Sequence, residues 1–93
     1  MTIDEIIDYV REENSSAVAF HSPDFYNAII GYTMNSNHMP VLVYDFDKMI
    51  ESLSKEYTDS EDPMCDALEW IEYNTLRTLP YIDEDGRPII IYT

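Results

Sequence analysis

The N-terminal segment places its apolar residues at the spacing of one helix face, at Ile3, Ile6, Ile7 and Val10. The preceding Thr2 and the following Glu5 have the spacing of a capping box, in which each side chain serves a backbone N–H of the first turn. We therefore expect a helix up to about residue 13, ended by the polar residues 14–16. The short apolar run 17–20 predicts a strand.

Two further helices and a buried strand are predicted in the middle of the chain. Ser22 as N-cap and Pro23 at the first helical position start the second helix, with apolar positions at Phe25, Ala28, Ile29 and Tyr32. Residues 35–38 form a polar loop, and the β-branched run 40–44 predicts a buried strand. Asp45 is the expected N-cap of a third helix, which is marked by Phe46, Met49, Ile50, Leu53 and Tyr57.

The C-terminal third predicts a fourth helix and a hairpin. Pro63 fits the first turn of that helix, whose inner stripe would be Met64, Ala67, Leu68, Ile71 and Thr75. Asn74 is a candidate left-handed residue at its C-terminal end. Segments 78–82 and 88–92 flank the turn sequence 83–86, which predicts a C-terminal β-hairpin. The expected fold is a single α+β domain over residues 1–93, with about four helices packed on a small sheet of three or four strands.

The amino-acid composition disfavours some classes of function but identifies none. The 93 residues contain 19 acidic and five basic side chains, for a formal net charge of −14, and 45% of them are hydrophobic. This charge disfavours direct binding to nucleic acid, because phosphate backbones select Lys and Arg. No secretory signal and no apolar run of about 20 residues is present, so we expect a cytoplasmic protein outside the membrane, with Cys65 reduced.

No constellation of residues for catalysis is recognised. A nucleophile and base would have to come from Cys65, His21 and His38. Acidic neighbours should raise the pKa of the Cys65 thiol, and we interpret this residue as a semi-buried structural cysteine. Residues 83–86 offer oxygen ligands but lack the later ligands of a calcium-binding loop. The sequence predicts a non-enzyme with no catalytic residue, no cofactor and no dedicated metal site.

The distribution of acidic residues is the most informative feature. Residues 45 to 72 contain ten acidic side chains against two lysines, a net charge of −8. Helical spacing groups Asp62, Asp66 and Glu69 on one face with Glu72 near by, so that carboxylates on adjacent turns lie about 5–6 Å apart. Such spacing approaches that of phosphates along a nucleic-acid strand. The candidate binding residues are Asp59, Glu61, Asp62, Asp66, Glu69 and Glu72.

Two interpretations of these acids stay open. A rigid array of carboxylates can occupy a Lys/Arg groove that is built for DNA or RNA, with counterion release favouring the complex. Alternatively, the acids only keep the protein soluble. Binding would then use an apolar interface of Met residues and Tyr9, Tyr32, Tyr44, Tyr57 or Tyr73, since aromatic residues and Met are enriched at interfaces, and the protein could be a homodimer.

Several segments resemble a family of small acidic proteins encoded by tailed bacteriophages. The similar segments are Ala28-Ile29-Ile30-Gly31, then Tyr44-Asp45 with Lys48, Ile50 and Leu53, and finally Ala67-Leu68-Glu69-Trp70-Ile71-Glu72-Tyr73-Asn74-Thr75. The resemblance covers about residues 24 to 92, so residues 1–14 are interpreted as an N-terminal helical addition. It implies no activity, cofactor or catalytic residue.

What the resemblance implies is context, namely a phage accessory gene expressed inside a bacterial cell. Small acidic phage proteins often block host defence by covering the nucleic-acid channel of a CRISPR effector, and this analogy favours the carboxylate-array interpretation. The expected partner is a basic host protein, such as a nucleic-acid-binding defence enzyme.

Overall fold

Three α-helices and three strands are formed by residues 1–92, the part of the chain that the computed structural model describes. They are α1 (Ile3–Glu13), β1 (Ile29–Met34), β2 (Pro40–Asp45), α2 (Phe46–Ser54), α3 (Pro63–Trp70) and β3 (Ile89–Ile91). A 3-10 helix at Pro23–Ala28 precedes β1, and a π-helix at Ile71–Leu76 continues α3. The predicted α+β class is confirmed, with the Pro23–Ala28 segment as the fourth helix.

The sheet is mixed and has the strand order β1-β2-β3. β1 and β2 are antiparallel, whereas β3 runs parallel to β2 and pairs Ile89 with Val43. β2 is buried from Pro40 to Tyr44, as expected for a central strand, and the prediction of this strand is confirmed.

One face of the sheet and the helices enclose the core. The buried cluster comprises Ile6, Val10, Phe25, Ala28, Ile29, Leu42, Tyr44, Met49, Leu53, Ala67 and Ile71. Alternation along β2 directs Leu42 and Tyr44 into this cluster. The buried hydroxyl of Tyr44 accepts a hydrogen bond of 3.0 Å from the backbone N–H of Phe20, so its polar atom is satisfied.

The predicted helix starts at α1, α2 and α3 are confirmed. Thr2 and Glu5 form both hydrogen bonds of the capping box. Asp45 accepts from the backbone N–H of Lys48 at 3.2 Å at the start of α2. Asp62 does the same for Cys65 at 3.1 Å, immediately before Pro63. Each cap satisfies a donor that the first helical turn leaves without a partner.

The predicted C-terminal hairpin is wrong. Leu79–Tyr81 is a short 3-10 helix, and residues 83–86 lead to a strand that joins the free edge of β2. The loop is fastened to other segments instead of to a hairpin partner. The Asn14 side chain donates to the Asp85 carbonyl at 2.6 Å, and the Val18 N–H donates to the Gly86 carbonyl at 2.9 Å.

The second helix is shorter than predicted, and residues 17–20 are not a strand. The 3-10 helix ends at Ala28, and Ile29 and Tyr32 belong to β1, where they pair with Tyr44 and Leu42. Pairing with a buried strand overrides the helical spacing of these residues. Residues 17–20 have no regular secondary structure and contact β2 through the Tyr44 hydroxyl.

Two expectations for the fourth helix are also wrong. The Met64 side chain is 50% exposed and is not part of the inner stripe, which contains Ala67, Ile71 and Thr75 as its buried residues. Asn74 lies inside the π-helix and not in a left-handed terminus. Among the non-glycine residues of 1–92, positive φ occurs at His38 alone, in the predicted loop between β1 and β2.

The contact at Gly86 generates a stability prediction. A Cβ atom on Gly86 would lie 1.8 Å from the Ser16 carbonyl oxygen, so the Gly86→Ala substitution requires the backbone to move. We expect a loss of about 1–3 kcal/mol in the free energy of unfolding, measured by urea denaturation. Gly31→Ala is the matched control, because nothing lies within 4 Å of the new Cβ atom. Equal stability of the two variants would contradict this packing.

Candidate functional site: the acidic and aromatic face of α3

The predicted binding residues lie in and just before α3 and in the π-helix that follows. We call Asp59, Glu61, Asp62, Asp66, Glu69 and Glu72 the acidic face. Five of these six side chains are exposed, and Asp66 is half-buried. All six fall between the end of α2 and the middle of the π-helix, so one continuous part of the chain presents them.

Hydrogen bonds hold part of the acidic face in place. Ser60 donates its hydroxyl to a carboxylate oxygen of Asp66, and the same hydroxyl accepts from the Asp62 backbone N–H at 3.1 Å. Asp62 in turn caps α3. Because their carboxylates make these bonds, Asp62 and Asp66 stabilise the local fold as well as contributing negative charge.

The surroundings of the Cys65 thiol show that several carboxylates lie near it. It is exposed, which corrects the expectation of a semi-buried structural cysteine. Its Sγ lies 3.9 Å from Glu69 Oε1. The negative charge of Glu69 is the largest cause that raises the pKa of the thiol, followed by desolvation and then by the charges of Asp62, Asp66 and Glu72. The predicted direction of this shift is confirmed, and four carboxylates act on one sulfur atom.

The π-helix gives α3 an irregular end that the sequence does not signal. The Asn74 side chain donates to the Trp70 carbonyl at 2.9 Å. π-helical turns are rare and often occur at functional sites. Here the turn begins one residue after Trp70, which is 39% exposed, and includes Tyr73, which is 67% exposed. Two large aromatic side chains therefore reach solvent beside the acidic face.

Two concavities adjoin Trp70 and Asn74, which line both of them. The first has a volume of about 370 Å³ and is largely apolar, with Phe20, Phe25 and Ile82 in its walls; we call it the Trp70 cavity. The second, of about 340 Å³, combines Asp66 and Glu69 with the rings of Tyr57 and Tyr73. Neither concavity was predicted from the sequence. The sequence feature that could have indicated them is the single tryptophan, which lines both.

The lysines of the acidic segment line a different depression. Lys48 and Lys55 share a concavity of about 230 Å³ with Glu51 and two polar residues, Asn27 and Ser52. Neither lysine lines the concavity that holds Asp66 and Glu69. Both lysines of the segment therefore lie on or next to α2, together with acidic residues such as Glu51, whereas residues 59–72 contain acidic side chains and no lysine.

The other sequence candidates lie elsewhere. Of the five tyrosines near predicted apolar faces, Tyr44 is buried, Tyr9 and Tyr57 are half-buried, and Tyr32 and Tyr73 are exposed. His21 lines the Trp70 cavity, and His38 lies in the loop between β1 and β2. Within residues 1–92, no three His, Cys, Asp or Glu side chains form a group that could hold a metal ion. No helix in the same range has the length and apolar character that a bilayer span requires.

Comparison with known proteins finds no match for this chain among protein-family models, curated proteins or solved structures.

The thiol of Cys65 provides a direct test of the acidic face. Because its pKa is raised, little thiolate is present near neutral pH, and alkylation by iodoacetamide should follow a pH profile with a midpoint above that of a free thiol. Glu69→Gln removes the nearest negative charge, so it should lower the pKa and accelerate alkylation at a given pH. Glu12→Gln, at an exposed position of α1, is the control. A profile unchanged by Glu69→Gln would contradict the grouping.

Charge repulsion also predicts a salt effect on stability. Nineteen carboxylates on a small fold repel one another, and salt shortens the range of that repulsion to about 8–10 Å. We expect the melting temperature to rise between low and moderate NaCl, measured by circular dichroism. The Glu69→Gln and Glu72→Gln double variant should show a smaller rise. A melting temperature that stays flat or falls would contradict clustered repulsion.

Proposed function

We propose that this protein is a phage-encoded, non-enzymatic inhibitor that acts in the cytoplasm of the bacterial host. It binds a basic host protein, a nucleic-acid-binding defence enzyme of the CRISPR type, and occupies the groove that otherwise holds DNA or RNA. The acidic face is the binding surface. Inhibition is steric and electrostatic exclusion of the nucleic acid, without a chemical step.

The observation that carries this proposal is the succession of Asp62, Asp66, Glu69 and Glu72 along one capped helix and its π-helical continuation, with Glu69 Oε1 3.9 Å from Cys65 Sγ. A charge array competes with a polyanion when its charges are fixed before binding, since less conformational entropy is then lost in the complex. The cap at Asp62 and the bond from Ser60 to Asp66 fix two of the four carboxylates. When the carboxylates bind the host groove, counterions are released into solution, as they are when phosphates bind there.

The aromatic side chains beside the acids support a protein partner. Trp and Tyr are enriched among the residues that contribute most to protein–protein affinity. Trp70 and Tyr73 are partly exposed next to Glu69 and Glu72. An arginine from the partner could pair with a carboxylate and stack on a ring at the same place.

The proposal is tested by affinity capture from a bacterial lysate at low salt, followed by elution in salt steps. We expect a basic nucleic-acid-binding protein to elute at moderate salt, and we expect added DNA or RNA to compete for its binding. A captured partner that binds independently of salt and of nucleic acid would contradict the proposal.

Charge reversals then identify the surface. Glu69→Lys and Glu72→Lys should each weaken binding about fivefold at low salt, roughly the effect of one exposed charge pair of about 1 kcal/mol. Glu12→Lys makes the same charge change on exposed α1 and should bind like the wild type. Asp62→Lys and Asp66→Lys need a parallel melting curve, because both carboxylates also hold the local fold. Wild-type binding and inhibition by all four variants would exclude this face.

A second candidate function is favoured by the outer strands of the sheet. β1 and β3 carry no charged side chain, and the exposed apolar residues on or beside them are Ile30, Tyr32, Met34, Ile89, Ile91 and Tyr92. In this alternative the protein is an interaction module or homodimer that uses exposed apolar residues of the outer strands, and the acids provide solubility. Binding of the partner that is insensitive to salt, together with dimerisation that Met34→Lys abolishes, would favour this alternative.

A further inference from the structure

The Trp70 cavity has the size and construction of a small-molecule site. Its volume of about 370 Å³ falls in the usual range of about 300–1,000 Å³ for such sites. Its lining comes from segment 18–25, from the end of α3 with the π-helix, and from Ile82. Contributions from three separate parts of the chain mean that the cavity exists only in the folded protein.

The aromatic walls of the cavity are packed before any ligand binds. The rings of Phe20 and Phe25 meet edge-on with centroids 6.0 Å apart, and the rings of Phe25 and Trp70 lie 6.2 Å apart. Phe25 is 1% exposed and belongs to the core cluster. These walls favour a flat aromatic ligand, because aromatic pairs gain from offset or edge-to-face contact at such distances.

The polar atoms of the lining favour an uncharged ligand that donates a hydrogen bond. No Asp, Glu, Lys or Arg of the described residues lines the cavity, so a charged ligand would lose hydration without gaining an opposite charge. Asn74 donates one N–H to the Trp70 carbonyl, and its amide oxygen is an acceptor; His21 and Ser22 add further polar atoms to the lining. Thr78 donates its hydroxyl to the Thr75 carbonyl at 2.8 Å, and its oxygen can likewise accept.

We infer that the Trp70 cavity binds a small, uncharged aromatic molecule that carries a hydroxyl or N–H donor, of the phenol or indole class. The aromatic body lies against Phe20, Phe25 and Trp70, and the donor reaches Asn74 or Thr78. The cavity contains none of the acidic face, although Trp70 and Asn74 border both concavities. A ligand here would contact the wall that the proposed partner also approaches.

The test uses three naphthalene probes and the single tryptophan of the chain. Its indole N–H gives one side-chain resonance in a ¹H–¹⁵N spectrum. We expect 2-naphthol to shift this resonance saturably, and we expect 2-methoxynaphthalene, which lacks the donor, and 2-naphthoate, which is anionic, to bind at least tenfold more weakly.

Substitutions at the cavity provide the matched control. Thr78→Phe places a ring at the lining and should weaken 2-naphthol binding at least tenfold, whereas Thr58→Phe changes another exposed threonine, which does not line the cavity, and should leave 2-naphthol binding unchanged. Ala19→Leu enlarges a side chain on another segment of the lining and should therefore also weaken 2-naphthol binding. Circular dichroism melting curves check that each variant is folded.

Three results would overturn the inference. They are the absence of a saturable shift with 2-naphthol, binding of 2-naphthoate as tight as that of 2-naphthol, and unchanged 2-naphthol binding in folded Thr78→Phe. A basic peptide that shifts the indole resonance when 2-naphthol does not would assign the cavity to the protein-binding surface instead. Failure of the lysate capture would leave these results unaffected, so the two proposals are tested separately.

Discussion

The hydrogen bonds of the Asn14 side chain connect three distant parts of the fold. Its N–H₂ group donates to the carbonyls of Pro40 and Asp85, and its oxygen accepts from the Ser16 N–H at 3.1 Å. The end of α1, the start of β2 and the loop before β3 therefore meet at one buried amide that is 1% exposed. Removing it would take a donor from the buried Pro40 carbonyl, and the loss of a buried hydrogen-bond partner costs about 1–3 kcal/mol, whereas the Asp85 carbonyl also accepts from the Asn35 side chain. The position of β3 depends on this junction, because the loop that delivers the strand is held there.

The acidic face lies in another part of the chain, where local hydrogen bonds hold the side chains. Asp62 and Asp66 are oriented by the cap of α3 and by Ser60, and the π-helix orients Asn74 and the Trp70 backbone. These hydrogen bonds join residues that are close in sequence, and none of them involves Asn14. Trp70 and Asn74, at the irregular end of this helix, thus line both the apolar cavity and the concavity that contains Asp66 and Glu69.

Local sequence signals predicted what local interactions determine. The caps at Thr2 and Asp45, the helix start at Pro63 and the buried strand β2 follow from residues within a few positions of one another. The hairpin prediction failed because the turn sequence 83–86 bonds to Asn14 and Val18, which no local pattern reveals. Ile29 and Tyr32 have the spacing of a helix face but pair with β2. The candidate acidic residues were chosen from their charge and helical spacing. The Trp70 cavity requires three segments in contact, and no local sequence pattern predicts that contact.

The parallel pairing of β3 with β2 also affects how the chain reaches its native state. Strands that are far apart in sequence pair late, because closing a long loop costs entropy before the pairing gains any contact. Until Ile89 reaches Val43, the most buried of the three described strands has an open edge that can pair with the same edge of another copy. Strong like charge on every copy opposes that encounter, so the acidity of the chain opposes aggregation before the sheet is complete.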